Sequence, residues 1–101
     1  MKLESVLFVR IYLTEADKRL KDILQRLHDI EKVRGVTVFR AVSGFGRSGV
    51  LHSSSLLDLS LDLPVSVEFF DRPERVEQIL EHFTDKFEPG HIVCWRAEMN
   101  V

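Results

Sequence analysis

Four short strand-like apolar runs, two of them strictly alternating, are interleaved with two in which apolar residues recur every third or fourth position, and this order leaves a 101-residue chain few ways to fold. In the first run, Leu7, Val9, Ile11 and Leu13 point one way and Val6, Phe8, Arg10 and Tyr12 the other, which predicts a strand from Val6 to Leu13. Thr14, with Asp17 three positions on, then offers a cap to a helix whose Ala16, Leu20, Ile23, Leu24, Leu27 and Ile30 share a stripe ending at Gly35. Val36 to Val42, rich in β-branched residues, is the second strand. Leu61 to Phe70 is the third, with Pro64 fitting an edge or an early ladder position because it has no N–H to donate. Asp71 and Pro73 open a second helix carrying Val76, Ile79, Leu80, Phe83 and Phe87, and Glu88-Pro89-Gly90 closes it. His91 to Met99 is the last strand.

Strand, helix, strand, strand, helix, strand is the α+β, ferredoxin-like βαββαβ order: an antiparallel four-stranded sheet with both helices on one face. Right-handed crossovers leave little else. With no linker or low-complexity tract, residues 1–101 are expected to form one domain. One layer of helices covers one sheet face, so the other is expected to expose Phe8, Tyr12, Phe39, Phe70 and Ile92 among Arg10, Glu68, Arg96 and Glu98. Large exposed aromatics mark an interface, and a chain this short gains from burying more surface, so a homo-oligomer packed through this face is expected.

The net charge of −2 gives no basic footprint for nucleic acid, and no partner of that kind is expected. Apolar stretches are strand-sized and the first residues lack a signal-peptide pattern, so neither membrane insertion nor export is expected. A single cysteine, Cys94, allows no internal disulfide and suits the cytoplasm. It reads as a structural thiol.

The long connection from Gly44 to Ser60 is what a minimal fold does not need, and such loops usually carry recognition. Gly44-Phe45-Gly46-Arg47 opens it, with glycines that let backbone N–H groups approach an anion and a guanidinium suited to phosphate. Arg40 in the preceding strand is either a buried ion-pair partner, with Glu68 one candidate, or a charge aimed at a cleft, the pair being favoured; His52 lies within the loop. Arg40, Gly44, Phe45, Gly46, Arg47 and His52 are therefore the candidate ligand-binding residues. The G-x-G-x-x-G spacing from Gly44 to Gly49 matches a dinucleotide fingerprint, but Val50 to Ser60 is too short and serine-rich for the helix it requires. No Walker motif follows. His52, His91 and Cys94 match no chelating spacing, and neither a carboxylate pair nor a nucleophile with its base stands out, so no metal site and no enzyme is expected.

Gly35-Val36-Thr37-Val38 followed by Gly44-Phe45-Gly46-Arg47 resembles the second strand and the start of the T-loop in PII signalling proteins. The wider set, Arg10-Ile-Tyr-Leu-Thr-Glu-Ala-Asp17, Leu51-His52, Leu61-Asp-Leu-Pro-Val65 and Glu68-Phe-Phe-Asp71, resembles the PII-like family known as domain of unknown function one-ninety. The resemblance implies a homotrimer that binds an adenine nucleotide (ATP, ADP or AMP) as effector between subunits. It also implies a T-loop-like connection at 44–60 that docks on a membrane transporter or an enzyme. Ser48 stands where PII proteins have a glutamine, and the glycine- and basic-rich loop before their last strand has no counterpart here. A small metal-binding protein or enzyme on the same fold is the alternative.

Overall fold

The computed structural model describes residues 1–45, 49, 52–53 and 62–101. Its elements run β1 (Leu3–Thr14), α1 (Arg19–Asp29), β2 (Thr37–Arg40), β3 (Ser43–Gly44), β4 (His52–Ser53), β5 (Pro64–Asp71), α2 (Pro73–Glu81) and β6 (Ile92–Asn100). β2, β5, β1 and β6 form one sheet in that order, each neighbour antiparallel. This is the ferredoxin-like α+β topology predicted from the order of periods. The short strands β3 and β4 pair only with each other, Ser43 opposite Ser53 and Gly44 opposite His52, at the root of the long connection.

The core lies between the sheet and its helices, where the two periodicities meet. Every second residue of the two central strands faces inward: Val9, Ile11 and Leu13 from β1, and Val65, Val67 and Phe69 from β5. Ile23 and Leu27 of α1 and Val76 and Ile79 of α2 pack onto them, with Phe83 just beyond α2. Each fully buried side chain of this size stabilises the fold by about 1.5–3 kcal/mol, so a charge at Val67, with no exposure at all, would unfold it.

Element ends differ from the sequence expectation where local chemistry overrides periodicity. α1 starts at Arg19, not after Thr14, because the Asp17 carboxylate accepts the Arg19 N–H at 2.9 Å and grips the same residue's guanidinium. It ends at Asp29, well before Gly35; Lys32 then turns the chain at φ 52°, a left-handed conformation unusual for a non-glycine residue. α2 stops at Glu81, although Phe83 and Phe87 still pack edge to face at 6.1 Å. Pro64 opens β5, an interior strand, so its missing N–H costs no ladder bond within the run.

The open face of the sheet is aromatic, as expected, but its membership is corrected in β6. Trp95 stands opposite Phe8, and Val93 opposite Arg10, so these two share the open face with Phe8, Tyr12, Phe39 and Phe70. Ile92, Arg96 and Glu98, expected there, face the helix side with Ile11, Leu7 and Ser5. The phase slipped because Ile92-Val-Cys-Trp-Arg-Ala-Glu-Met99 has no clean alternation, and a one-residue slip inverts every side chain. Phe8 stacks on Trp95 (centroids 4.7 Å apart) and on Phe70 (5.9 Å), forming a row across three strands. Cys94, expected to be a structural thiol, is exposed.

Candidate functional site

β1 and β6 outrun their neighbours. β5 ends at Asp71, opposite Leu7, whereas Leu3 to Val6 continue to pair with Ala97 to Asn100, so a two-stranded ribbon projects past the sheet. The α1–β2 connection approaches this ribbon, and Arg34 Nη1 donates to the Met99 thioether at 2.8 Å. Between them opens a pocket of about 450 Å³. Phe8, Phe39 and Phe70 supply apolar wall; Arg34, Gly35, Val36 and Thr37 form one side, Glu68 the floor strand, and Met99 with Asn100 the ribbon side. Its size and its mix of aromatic surface with a few polar groups suit a small organic ligand.

The open-face charges are organised around Glu68. Its Oε1 accepts from Arg10 Nε at 2.6 Å, and the same guanidinium lies 5.3 Å from the Trp95 ring centroid. Arg34, by contrast, is held by a thioether, a weak acceptor, and has no carboxylate partner among the described residues. Its remaining N–H groups are suited to an anion at the pocket mouth.

Of the sequence-predicted residues, Arg40, Gly44 and Phe45 are described, and they lie outside this pocket. Arg40 is not paired with Glu68: β2 points it to the helix side, where Nη2 sits 2.9 Å from the Glu15 carboxylate. Gly44 lies against Pro64, so close that an added Cβ would meet Pro64 Cγ at 3.2 Å. Phe45 beside it is exposed. Gly46 and Arg47 lie outside the described residues, as does nearly all of the rest of Gly44 to Ser60; His52 is placed by its backbone opposite Gly44.

What the structure does bring together is the root of that connection. Glu15, in the β1–α1 turn, holds the outgoing limb through Arg40. The same turn holds the returning limb: Glu15 N–H donates to Leu63 O at 2.8 Å, and Ala16 N–H to Asp62 Oδ1 at 2.8 Å. His91, a conceivable metal ligand from sequence, sits with Nδ1 3.2 Å from Tyr12 O. No group of three or more His, Cys, Asp or Glu side chains capable of holding a metal occurs among the described residues. Among the described residues, no helix is long and apolar enough to cross a membrane.

The pocket residues were partly legible. Phe8, Phe39, Phe70 and Glu68 were expected on the open face, but as interface rather than as pocket wall. Arg34, Met99 and Asn100 gave no sequence signal, because only the overhang of the ribbon brings them into register with the α1–β2 connection.

Comparison with known proteins fits this architecture. The family model DUF190, described as "Uncharacterized ACR", matches residues 6–99. A curated relative, a UPF0166 protein of Aquifex aeolicus, is 35% identical over 65% of this chain; the match spans 62% of that relative's own length. Among solved structures, CPII of Thiomonas intermedia bound to ADP and bicarbonate superposes with a TM-score of 0.65 at 27% identity, covering 99% of this chain and 91% of CPII. A second structure of CPII, a nitrogen regulatory PII-like protein bound to ADP, AMP and bicarbonate, gives 0.67 at 26% identity over 99% and 91%. With its strand order, its open aromatic face and a family match along nearly its whole length, this chain is a PII-like protein and belongs to the DUF190 family.

Proposed function

We propose that this protein is a non-enzymatic, cytoplasmic PII-like regulator that binds an adenine nucleotide in the pocket between the α1–β2 connection and the β1–β6 ribbon. The single observation that carries this reading is the pocket itself: an aromatic cleft with Glu68 at its floor and Arg34 at its mouth, in a chain similar over its length to a protein solved with ADP and bicarbonate. Phe8, Phe39 and Phe70 offer π faces to a purine, at about 1–3 kcal/mol per stacked base. Glu68 accepts from ribose hydroxyls or an exocyclic amine, and Arg34 exchanges its thioether contact for a phosphate oxygen, a stronger charge-assisted bond.

One protomer leaves the pocket open toward the same face that carries the aromatic row. We place a second copy there, giving a homotrimer with nucleotide at each subunit junction; the exposed Phe39, Val93 and Trp95 support an interface. In this reading the 44–60 connection is a T-loop. Gly44, Phe45, Gly46, Arg47 and His52 belong to its ligand-facing or partner-facing surface, and Arg40 to its support. Ligand acts by favouring one loop state over another, which a few kcal/mol of differential affinity achieves, and the regulated partner is a transporter or an enzyme.

The test is calorimetry with ADP, ATP and AMP, with and without bicarbonate, on the wild type and on Arg34→Gln and Glu68→Gln. Saturable binding that weakens about tenfold or more in each variant is expected, the usual loss for a charge-assisted contact. Absence of nucleotide heat, or equal binding by both variants, overturns the assignment. Metal heat that disappears in His52→Ala would instead favour a metal-binding protein.

A further inference from the structure

One carboxylate is buried in this molecule while carrying the charges of two helices. Glu31 is 4% exposed, the sole buried polar or charged residue among those described. It lies in the α1–β2 connection just after α1. Its Oε2 is 2.6 Å from His82 Nδ1 and 3.2 Å from Arg26 Nε; its Oε1 is 3.5 Å from Arg75 Nη1, and its backbone carbonyl accepts from Arg75 Nη2. Arg26 comes from α1, Arg75 lies within α2, and His82 caps its end. The chain is further fastened by Glu31 N–H to Arg26 O at 2.9 Å and Val33 N–H to Leu27 O at 3.1 Å.

The connection that Glu31 anchors becomes pocket wall three residues later, at Arg34, Gly35, Val36 and Thr37. Three residues span at most about 10 Å, so the wall cannot move far while the carboxylate is held. α2 contributes no described residue to the pocket. Among the described residues, its polar link to that connection runs through Glu31 alone. Removing the carboxylate charge does more than delete one contact: it leaves the Arg26, Arg75 and His82 side chains gathered around a neutral group, which weakens the hold of both helices on the connection.

Resting on the nucleotide reading above, we infer that Glu31 is the positioning residue of the pocket, setting the Arg34–Thr37 wall from helix α2 through Arg75 and His82. The side chain touches no ligand. Its effect reaches the site through the main chain, so α2 and the pocket are energetically coupled.

Three measurements on the full chain test this: ADP affinity by calorimetry, amide hydrogen exchange of Val33 to Thr37, and melting temperature. The variants are Glu31→Gln, which keeps shape and loses charge, Arg75→Gln, remote from the pocket, and the double variant. Each single variant is expected to weaken ADP about tenfold, within the usual range of inter-site coupling, and to speed exchange in 33–37 while leaving the central strands protected. The double variant is expected to lose no more than the worse single one, because both act through one link. Wild-type affinity and wild-type exchange in both variants overturn the inference, as does full additivity. If wild-type protein binds no ADP, the nucleotide reading fails and the exchange arm alone decides this one: unchanged protection of 33–37 overturns it, selective loss supports it. If Glu31→Gln does not fold, Arg75→Gln carries the same comparison.

Discussion

Replacing Trp95 by alanine tests whether the open face is a built surface. The ring is 39% exposed, so about 100 Å² or more of it is already covered within one protomer, worth about 2.5 kcal/mol at ~25 cal/mol per Å². Its stack on Phe8, at 4.7 Å and 24° between planes, adds about 0.5–1.5 kcal/mol, and the Arg10 guanidinium lies 5.3 Å from the ring centroid. Denatured chains bury some of this area too, so the net expectation is a loss of about 2–4 kcal/mol. For a domain of this size that lowers Tm by roughly 10–20 °C. Thermal unfolding by circular dichroism, run at several protein concentrations, measures it. A Phe8→Ala partner completes a double-mutant cycle, where coupling of about 0.5–1.5 kcal/mol is expected. A loss below about 1 kcal/mol with an additive cycle would refute the reasoning and reduce the aromatic row to scattered surface rings. If copies pack through this face, wild-type Tm also rises with concentration and the variant's does not.

Phe39→Asp leaves the core untouched, since Phe39 is 54% exposed, but puts a charge on the open face; light scattering is expected to show the assembly falling apart while circular dichroism retains the fold. Acid stability follows Glu31: burial pushes its carboxyl up, but the hydrogen bonds from His82 and Arg26 outweigh that and hold it below the ordinary glutamate range. A depressed folded-state value gives stability that is present above the unfolded value, near pH 4.3, and is lost as pH falls through the folded one, so the acid limb of denaturation is expected to be shallower in Glu31→Gln. Arg47→Ala is expected to leave Tm within about 1 °C while weakening nucleotide by about 1.5–3 kcal/mol in calorimetry; equal binding would remove Arg47 from the site. Glu15→Gln removes a largely exposed ion pair with Arg40, and the expected change in stability by urea titration is about 0.2–1 kcal/mol.

The fold was legible because its two central strands and both helices have one apolar face each, and period alone assigns such segments. Thr14 and Gly35 misplaced the ends of α1, since a carboxylate two residues before the helix and a left-handed Lys32 decide those ends, and neither leaves a periodic trace. β6 is an edge strand half exposed on both sides, so burial imposes no alternation on it and its phase was not readable. Arg40 was assigned the wrong partner for a related reason: Glu68 lies one strand over but on the other face, while Glu15 is distant in sequence and adjacent only through the β1–α1 turn. Glycine spacing marks the loop and carries no trace of the pocket, whose walls come from four places that only the tertiary fold assembles.

Both limbs of the long connection are lashed to the same short turn, at Glu15 and Ala16, rather than to opposite ends of the sheet. Any rearrangement farther along the excursion therefore pulls on a single knuckle, set between the last residue of β1 and the first turn of α1. An amide resonance at Ala16 would serve as a strain gauge for the whole excursion, readable in a protein whose sheet had not stirred.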